Sequence, residues 1–344
     1  MLRPDSETFS RLALYQESLP DKSVRCLLCP HQCVLQEGRS GICRTRINKQ
    51  GELFALAYGN PCSLAVDPIE KKPLFHFFPG TKIYSLAIAG CNFRCLNCQN
   101  WEISQSSPDA LGQYTLTPEE VVLQALRHHT GSIAFTYTEP SVFYEYVLDT
   151  AKVAHDKGLK TVLISNGFIS EKPLLELCPY IDAANIDLKC FDDGVYRHLA
   201  GGRLQPVLDT LKILKVQRVW LEITNLLVPG FSDRPEMVQA MCDWLVKNGF
   251  ARTPLHFSRF FPTYKLKKIS PTSESDLIQA KGIAEASGME YVYIGNCSGL
   301  NGENTYCPYC RHMVVERSSY AVKLNVIRNG RCGFCGRQLS GVWC

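Results

Sequence analysis

The sequence predicts an α/β fold, an open and partial (β/α)6 barrel, and three observations carry that expectation. Between residues 82 and 296 short apolar runs alternate with amphipathic stretches, the pattern of repeated strand and helix units around a parallel sheet. The amphipathic stretches open on a capping residue or a proline and close on glycine, as helices do. The units number six or seven, one or two short of the eight that close a full barrel.

The runs, in order, are "IYSLAIAG", "SIAFTYT", "TVLISNG", "IDAANIDLK", "VWLEITNLLV", "LHFSRFF" and "YVYIG". Between them lie helical segments such as "TPEEVVLQALRHHTG", "PSVFYEYVLDTAKVAHDKG" and "RPEMVQAMCDWLVKNG". Before this core, residues 1–81 form a Cys-rich region, read as one helix, a four-cysteine cluster and loop-rich sequence. After it, residues 297–344 are rich in Asn, Gly and Cys, with two knuckles flanking the strand-like "MVVERSSYAVKLNVI". In a barrel of this kind the working residues sit on loops after the strand C-termini.

Composition narrows the function. A chain of 344 residues, 45% of them hydrophobic, can bury a large core, and a net charge of +4 demands neither nucleic acid nor an acidic membrane as partner. No apolar stretch is long enough to span a bilayer, and the start lacks a signal-like apolar region, so a cytoplasmic protein is expected. In that compartment 17 cysteines argue for metal rather than disulfides.

Most of the cysteines fall into three groups. "GCNFRCLNCQNWEISQ" places Cys91, Cys95 and Cys98 on the loop after the first barrel strand. A cubane [4Fe–4S] cluster held by four cysteines is complete at every iron, whereas three leave one iron open. An open iron can chelate a molecule through an amine and a carboxylate, and S-adenosylmethionine carries that pair. A zinc site with a fourth ligand from elsewhere is the alternative. Cys307 and Cys310 in "CPYC", with Cys332 and Cys335 in "CGFCG", have zinc-ribbon spacing and predict a closed, structural zinc. Cys26, Cys29, Cys33 and Cys43 admit either a structural zinc, the first choice, or a fully ligated auxiliary iron–sulfur cluster, with His31 able to replace one ligand. Cys178 and Cys242 read as inert core residues. Cys190, directly after "DLK", reads either as a buried small hydrophobe or as a group facing the active site.

"GCNFRCLNCQNWEISQ" with "TYTEP", "SNGF" and "NIDLK" resembles the radical S-adenosylmethionine superfamily, on the branch of the pyruvate formate-lyase activating enzymes. "CLLCPHQC", "DPIEKKPLFHFFPG", "CQNWEISQ" and "HFSRFFP" are similar, more narrowly, to the radical enzyme of the AmmeMemoRadiSam group. The resemblance implies an enzyme that reductively cleaves S-adenosylmethionine and abstracts hydrogen from a small-molecule or protein substrate. It also implies an electron donor such as flavodoxin or ferredoxin and association with the AmmeMemoRadiSam partner proteins. It assigns the cluster to Cys91, Cys95 and Cys98 and places Glu139, Ser165, Asn166 and the ribose-side His256 around the cofactor. Asp187 and Lys189 match an Asp-x-Lys pair beside it. Two departures stand out. "TYTEP" lacks the two glycines usual before its Glu, and Asn97 stands where an aromatic commonly packs near adenine, leaving that packing to Phe93 or Trp101. The segment with Asp67, Glu70, Lys71, Lys72 and His76 reads as a solvated charge run or as a substrate-facing stretch. A glycyl-radical activase is the alternative function, and a multi-zinc scaffold for partner recognition the alternative of another class.

Overall fold

The computed structural model describes residues 10–111, 114–297 and 299–343. Its centre is one eight-stranded sheet of β1 (Ser63–Pro68), β2 (Lys82–Ala87), β3 (Ser132–Phe135), β4 (Lys160–Ser165), β5 (Ala183–Asp187), β6 (Trp220–Leu227), β7 (Leu255–Arg259) and β8 (Val292–Gly295). The spatial order follows the chain. β2 to β8 run parallel, β1 lies antiparallel to β2, and β1 and β8 are the two free edges, so the barrel is open. The parallel strands number seven, one more than the (β/α)6 expectation, because "YVYIG" pairs along β7 after its own helix, Glu274–Ala286.

Local chemistry fixes the connections. Thr117 and Glu120 close a capping box at the start of helix Pro118–Arg127, and Ser273 and Asp276 do the same for Glu274–Ala286. Pro235 opens the helix Pro235–Lys247, where its missing N–H costs nothing. The parallel strands β2 to β6 are buried on both faces over most of their length, as a parallel sheet under helices requires, whereas the edge strand β1 is largely half-buried or exposed.

The stretch Ile69–Phe78 folds under the strand N-termini and plugs the barrel. Ile69, Leu74 and Phe77 pack there on Ile83, Ala134, Val162 and Ala183, each large side chain contributing roughly 1.5–3 kcal/mol by leaving water. Below this floor docks a three-stranded antiparallel sheet of Thr305–Tyr306, Met313–Ser318 and Ala321–Asn325. Arg317 gives Nη2–H to Phe75 O at 2.7 Å, and across the same seam Phe78 N–H donates to Val342 O and Val342 N–H to His76 O. Cys307, Cys310, Cys332 and Cys335 therefore lie at the end of the barrel opposite the loops that follow the strands.

The helix expected within residues 1–81 is absent among the described residues, where Arg11–Leu12 and Gln16–Ser18 are strands. Six short strands in this region form two three-stranded sheets that lean on helix Tyr144–Asp156. Arg46 pairs with Glu145 at 2.5 Å, both side chains almost wholly buried. No helix of the described residues is long and apolar enough to cross a membrane.

Candidate active site

The loop carrying Cys91, Cys95 and Cys98 leaves the C-terminal end of β2 beneath the N-terminal region. Gly90 makes this crossing possible. Its φ is +110°, and a Cβ there would stand 2.4 Å from Thr45 Cγ2 and 2.7 Å from Cys43 O. Inside the loop, Phe93 N–H donates to Cys91 Sγ at 3.3 Å, and Cys98 Sγ lies 3.2 Å from Ser104 Oγ. Burial pushes the Cys91 and Cys95 thiols up, Cys95 to about 12, an energetic cost that a coordinated cation removes.

Sulfur spacing separates two kinds of site. The sulfurs of Cys307, Cys310, Cys332 and Cys335 all lie within 4.8 Å of one another, with Cys307–Cys335 and Cys310–Cys332 each at 3.7 Å. A tetrahedral ion with bonds of about 2.3 Å draws its sulfurs to about 3.8 Å, so this group fits one ion. Among the described residues no other set of three ligand atoms is that tight, and Cys91, Cys95 and Cys98 are held further apart. Three thiols on one loop, spread wider than one ion draws them, suit a polynuclear cluster whose irons each take one sulfur.

Asp187 ends β5, and Lys189 Nζ meets its Oδ2 at 2.7 Å, with both side chains partly exposed at the mouth. Burial works against the Lys189 charge, but Asp187, Cys95 and Cys98 outweigh it and raise its pKa. Behind them a buried network joins two strand ends. Glu139 accepts from Ser141 N–H at 3.0 Å, Ser165 Oγ–H at 2.8 Å and Asn166 N–H at 2.8 Å. Burial raises its pKa, although these donors pull the other way. Asn166 Nδ2–H donates to Asn92 Oδ1 at 2.8 Å and lies 3.9 Å from Cys91 Sγ. The mouth thus gathers Cys91, Cys95, Cys98, Glu139, Ser165, Asn166, Asp187 and Lys189.

His256 is placed differently from its expected ribose-side position. It shares a register row with Thr224, opposite Asp187, yet its ring is buried between Phe75 and Tyr293 with Nε2 2.7 Å from Glu222 Oε2. The cause is Glu222, a wholly buried carboxylate that needs donors and also takes the N–H groups of Phe75, His76 and Trp220 Nε1. Burial pushes Glu222 up, but His256, His76 and these donors hold it below the usual range. Its signal was legible as the one charge in "VWLEITNLLV".

Phe93 is unavailable to a ligand. It is buried against Phe168 and Tyr196, and a Cβ on Gly202 would stand 2.2 Å from its ring. Trp101 is partly exposed and stacks on Tyr264 with centroids 5.1 Å apart. Asn97 is buried with an unpartnered Oδ1. Cys190 is a buried core thiol whose S–H reaches Asp192 O, and burial lifts it to about 11. Cys178 and Cys242 are buried as expected.

Residues 67–76 are neither a solvated run nor wholly lining. Glu70, Lys72 and His76 are buried, and Asp67 receives Lys71, Lys72 and the Tyr137 hydroxyl inside the barrel. Burial lowers Lys72 to about 8. Sequence reasoning missed Tyr137 and Asn92; both sit inside the quoted motifs, but only the fold shows that Tyr137 reaches down to Asp67 and Asn92 across to Asn166.

Residues 86–245 match the Radical SAM superfamily. Over 331 residues the chain is 46% identical to an uncharacterized protein of Methanocaldococcus jannaschii, covering 96% of this chain and 98% of that one. It is 25% identical over 233 residues to the pyruvate formate-lyase 1-activating enzyme of Escherichia coli K12, covering 62% and 93% respectively. Among solved structures, Streptococcus suis SuiB bound to S-adenosylmethionine has a similar fold, with a TM-score of 0.50 at 15% identity over 70% of this chain and 56% of SuiB.

Proposed function

Because the chain belongs to the radical SAM superfamily, we propose that it is an enzyme that uses a [4Fe–4S] cluster on Cys91, Cys95 and Cys98 to cleave S-adenosylmethionine and take hydrogen from a substrate in the open barrel. The observation that carries this reading is the three-sulfur loop at the strand C-termini, its sulfurs spread wider than one ion holds them. When bound, the cluster would supply one electron to the sulfonium, releasing methionine and a 5′-deoxyadenosyl radical.

The chain's own residues then do the positioning. Asn166 and Ser165 fix the loop after β4 through Glu139, and so place polar groups beside Cys91. Asp187 and Lys189 set opposite charges at the mouth, the ammonium nearer the sulfurs of Cys95 and Cys98. Asn97, whose buried Oδ1 has no partner, would offer adenine an acceptor in place of aromatic packing. Trp101, stacked on Tyr264 beside the cysteine loop, would shield a ligand held there from water. Asp67, Lys72 and Tyr137 give the floor a polar patch for substrate.

The carboxy-terminal tetrad holds a structural zinc in this reading, supported by its 3.7 Å sulfur separations. A modification made together with AmmeMemoRadiSam partner proteins ranks ahead of glycyl-radical activation, on the motifs "DPIEKKPLFHFFPG" and "CQNWEISQ". Activation of a protein radical has support from relatives named as activating enzymes for pyruvate formate-lyase and 4-hydroxyphenylacetate decarboxylase. The electron donor is a flavodoxin or ferredoxin.

Anaerobic reconstitution tests the core of the proposal. The protein should show a reducible cubane whose paramagnetic resonance spectrum changes with S-adenosylmethionine, and should form 5′-deoxyadenosine. Turnover that survives Cys91→Ala, Cys95→Ala or Cys98→Ala would remove that residue from the cluster. Deuterium passed from substrate into deoxyadenosine identifies the substrate.

A further inference from the structure

We propose that Cys26, Cys29, Cys33 and Cys43 hold a second, fully ligated iron–sulfur cluster that relays electrons to the three-cysteine loop. The four cysteines line one cavity, together with Leu28, Arg46 and Asn92. All four are free thiols, so no disulfide competes.

The carboxy-terminal tetrad is an internal control for what one ion looks like in this chain. There the sulfurs close to within 4.8 Å; in the amino-terminal set, no three do. They are nonetheless near enough for each thiolate to feel its neighbours, since Cys43 acts on Cys26, Cys29 and Cys33. Sulfurs that surround a common cavity but stand apart match a cluster, where each binds its own iron, and not a zinc ion, which would pull them to about 3.8 Å. The cluster therefore ranks ahead of zinc, the first choice from spacing alone, at this site.

The surroundings suit an anionic group. Backbone N–H groups of Leu28, His31 and Ile42 lie close to the sulfurs of Cys26, Cys29 and Cys33 and favour their charged forms. Arg46 is 1% exposed and borders the cavity. Its Nη1 and Nη2 are engaged by Leu14 O and Glu145, but its Nε–H has no partner. A buried guanidinium with a free donor is a costly feature unless something negative sits beside it. A cubane with four thiolates carries net negative charge in both of its usual oxidation states. His31 does not stand in for a cysteine through Nε2, because that nitrogen faces Asn92 O at 2.8 Å and must carry the hydrogen.

Position gives this cluster its task. Asn92 borders the cavity and is covalently next to Cys91, while Cys43 O abuts Gly90 on the other side of Cys91. The relay rests on the function proposed above; the presence of the cluster does not. One electron from a low-potential flavodoxin or ferredoxin reduces the amino-terminal cluster, which is reoxidised by passing that electron to the cluster on Cys91, Cys95 and Cys98. No atom moves and no proton is needed.

The full chain carrying Cys91→Ala, Cys95→Ala and Cys98→Ala together isolates the site. After anaerobic reconstitution it should keep about four iron and four sulfide per chain, with a reduced-state resonance that S-adenosylmethionine does not alter. Two zinc and no iron in this variant would overturn the proposal. In the otherwise native chain, Cys29→Ser with Cys33→Ser should lower flavodoxin-driven cleavage by about tenfold relative to dithionite-driven cleavage. An unchanged ratio would overturn the relay. If that double variant fails to fold, the iron count of the triple variant still decides whether the cluster exists. A native protein that binds iron at the amino-terminal site but never cleaves S-adenosylmethionine would sink the proposed function and leave the cluster standing.

Discussion

Asn166 gives its side-chain N–H to Asn92 Oδ1 at 2.8 Å, and by that bond the loop after β4 grips the residue next to Cys91. Asn92 Nδ2 in turn donates to Phe168 O, and Phe168 N–H to Asn166 Oδ1, so the pair is locked from both ends. Both side chains are buried, which makes the bond expensive to break and hard to replace with water.

Asn166→Ala should therefore act on two measurements at once. Orphaning Asn92 Oδ1 costs about 1–3 kcal/mol of stability, read by denaturant unfolding. S-adenosylmethionine should also bind more weakly by calorimetry, because the polar groups beside Cys91 lose their fixed position, and cleavage should slow, since a misplacement of roughly 1 Å can cost on the order of 100-fold in rate. Unaltered stability and binding would mean that the pair positions nothing.

Lys189 and Asp187 should move the reduction potential of the neighbouring cluster in opposite directions. A cation beside the Cys95 and Cys98 sulfurs favours the reduced, more negative state. Lys189→Met should lower the potential and slow cleavage, whereas Asp187→Asn should raise it. Spectroelectrochemical titration of both variants checks the signs, and shifts of the same sign would refute the assignment.

The carboxy-terminal metal should hold the floor shut without serving the chemistry. Cys332→Ser with Cys335→Ser should lose one zinc by elemental analysis and, with it, binding energy of roughly 10 kcal/mol for the module. Hydrogen exchange should quicken at Phe75–Phe78, whose backbone pairs with the module. Iron content should stay at the native level.

The parallel core and the three cysteine groups were legible because they write themselves in local pattern: strand and helix periodicity, glycine stops, CxxC spacing. The sequence also carried Asp187, Lys189 and Asn166 to the mouth, since each lies at or just past the end of a strand. What it did not carry was side-chain direction. His256 shares a register row with Thr224 and Asp187, but Glu222 turns its ring inward. Phe93 lies on the expected loop, but Gly202 and Phe168 enclose it. Sulfur spacing, which separates one ion from a cluster, depends on the path of the chain between cysteines and not on their count. The antiparallel β1 was hidden for a similar reason, as its residues alternate weakly and are fixed by pairing with β2.

His76 ties the barrel floor to the carboxy-terminal module and should make that contact sensitive to acid. Its Nδ1 lies 2.6 Å from Ser340 O, an atom that can only accept, so Nδ1 carries the hydrogen. Nε2, 2.5 Å from Tyr293 Oη, must then accept the Tyr293 hydrogen. Tyr293 in turn meets Thr305 Oγ1 at 2.9 Å, and Arg317 Nη1–H donates to the same Thr305 at 2.8 Å. Protonating Nε2 would turn the Tyr293 hydrogen away toward Thr305 Oγ1 and add charge near Arg317 and His256, with Glu222 the carboxylate that favours it. Burial is the largest cause, and the folded pKa falls to about 4. The unfolded value is about 6.5, so between these limits the unfolded chain binds more protons and stability rises with pH. Above about 6.5 this contribution is complete; through the window its loss amounts to about 3 kcal/mol. The depressed carboxyl of Asp67 acts only below its ordinary value of about 3.9, outside most of that range. His76→Gln offers the discriminating variant, because an amide can donate to Ser340 O and accept from Tyr293 without titrating. Denaturant unfolding from pH 7 to 4 should show a steeper loss in the native chain than in the Gln variant, with exchange at Val342 quickening in parallel. Equal slopes would show that His76 keeps no proton-linked hold on the module.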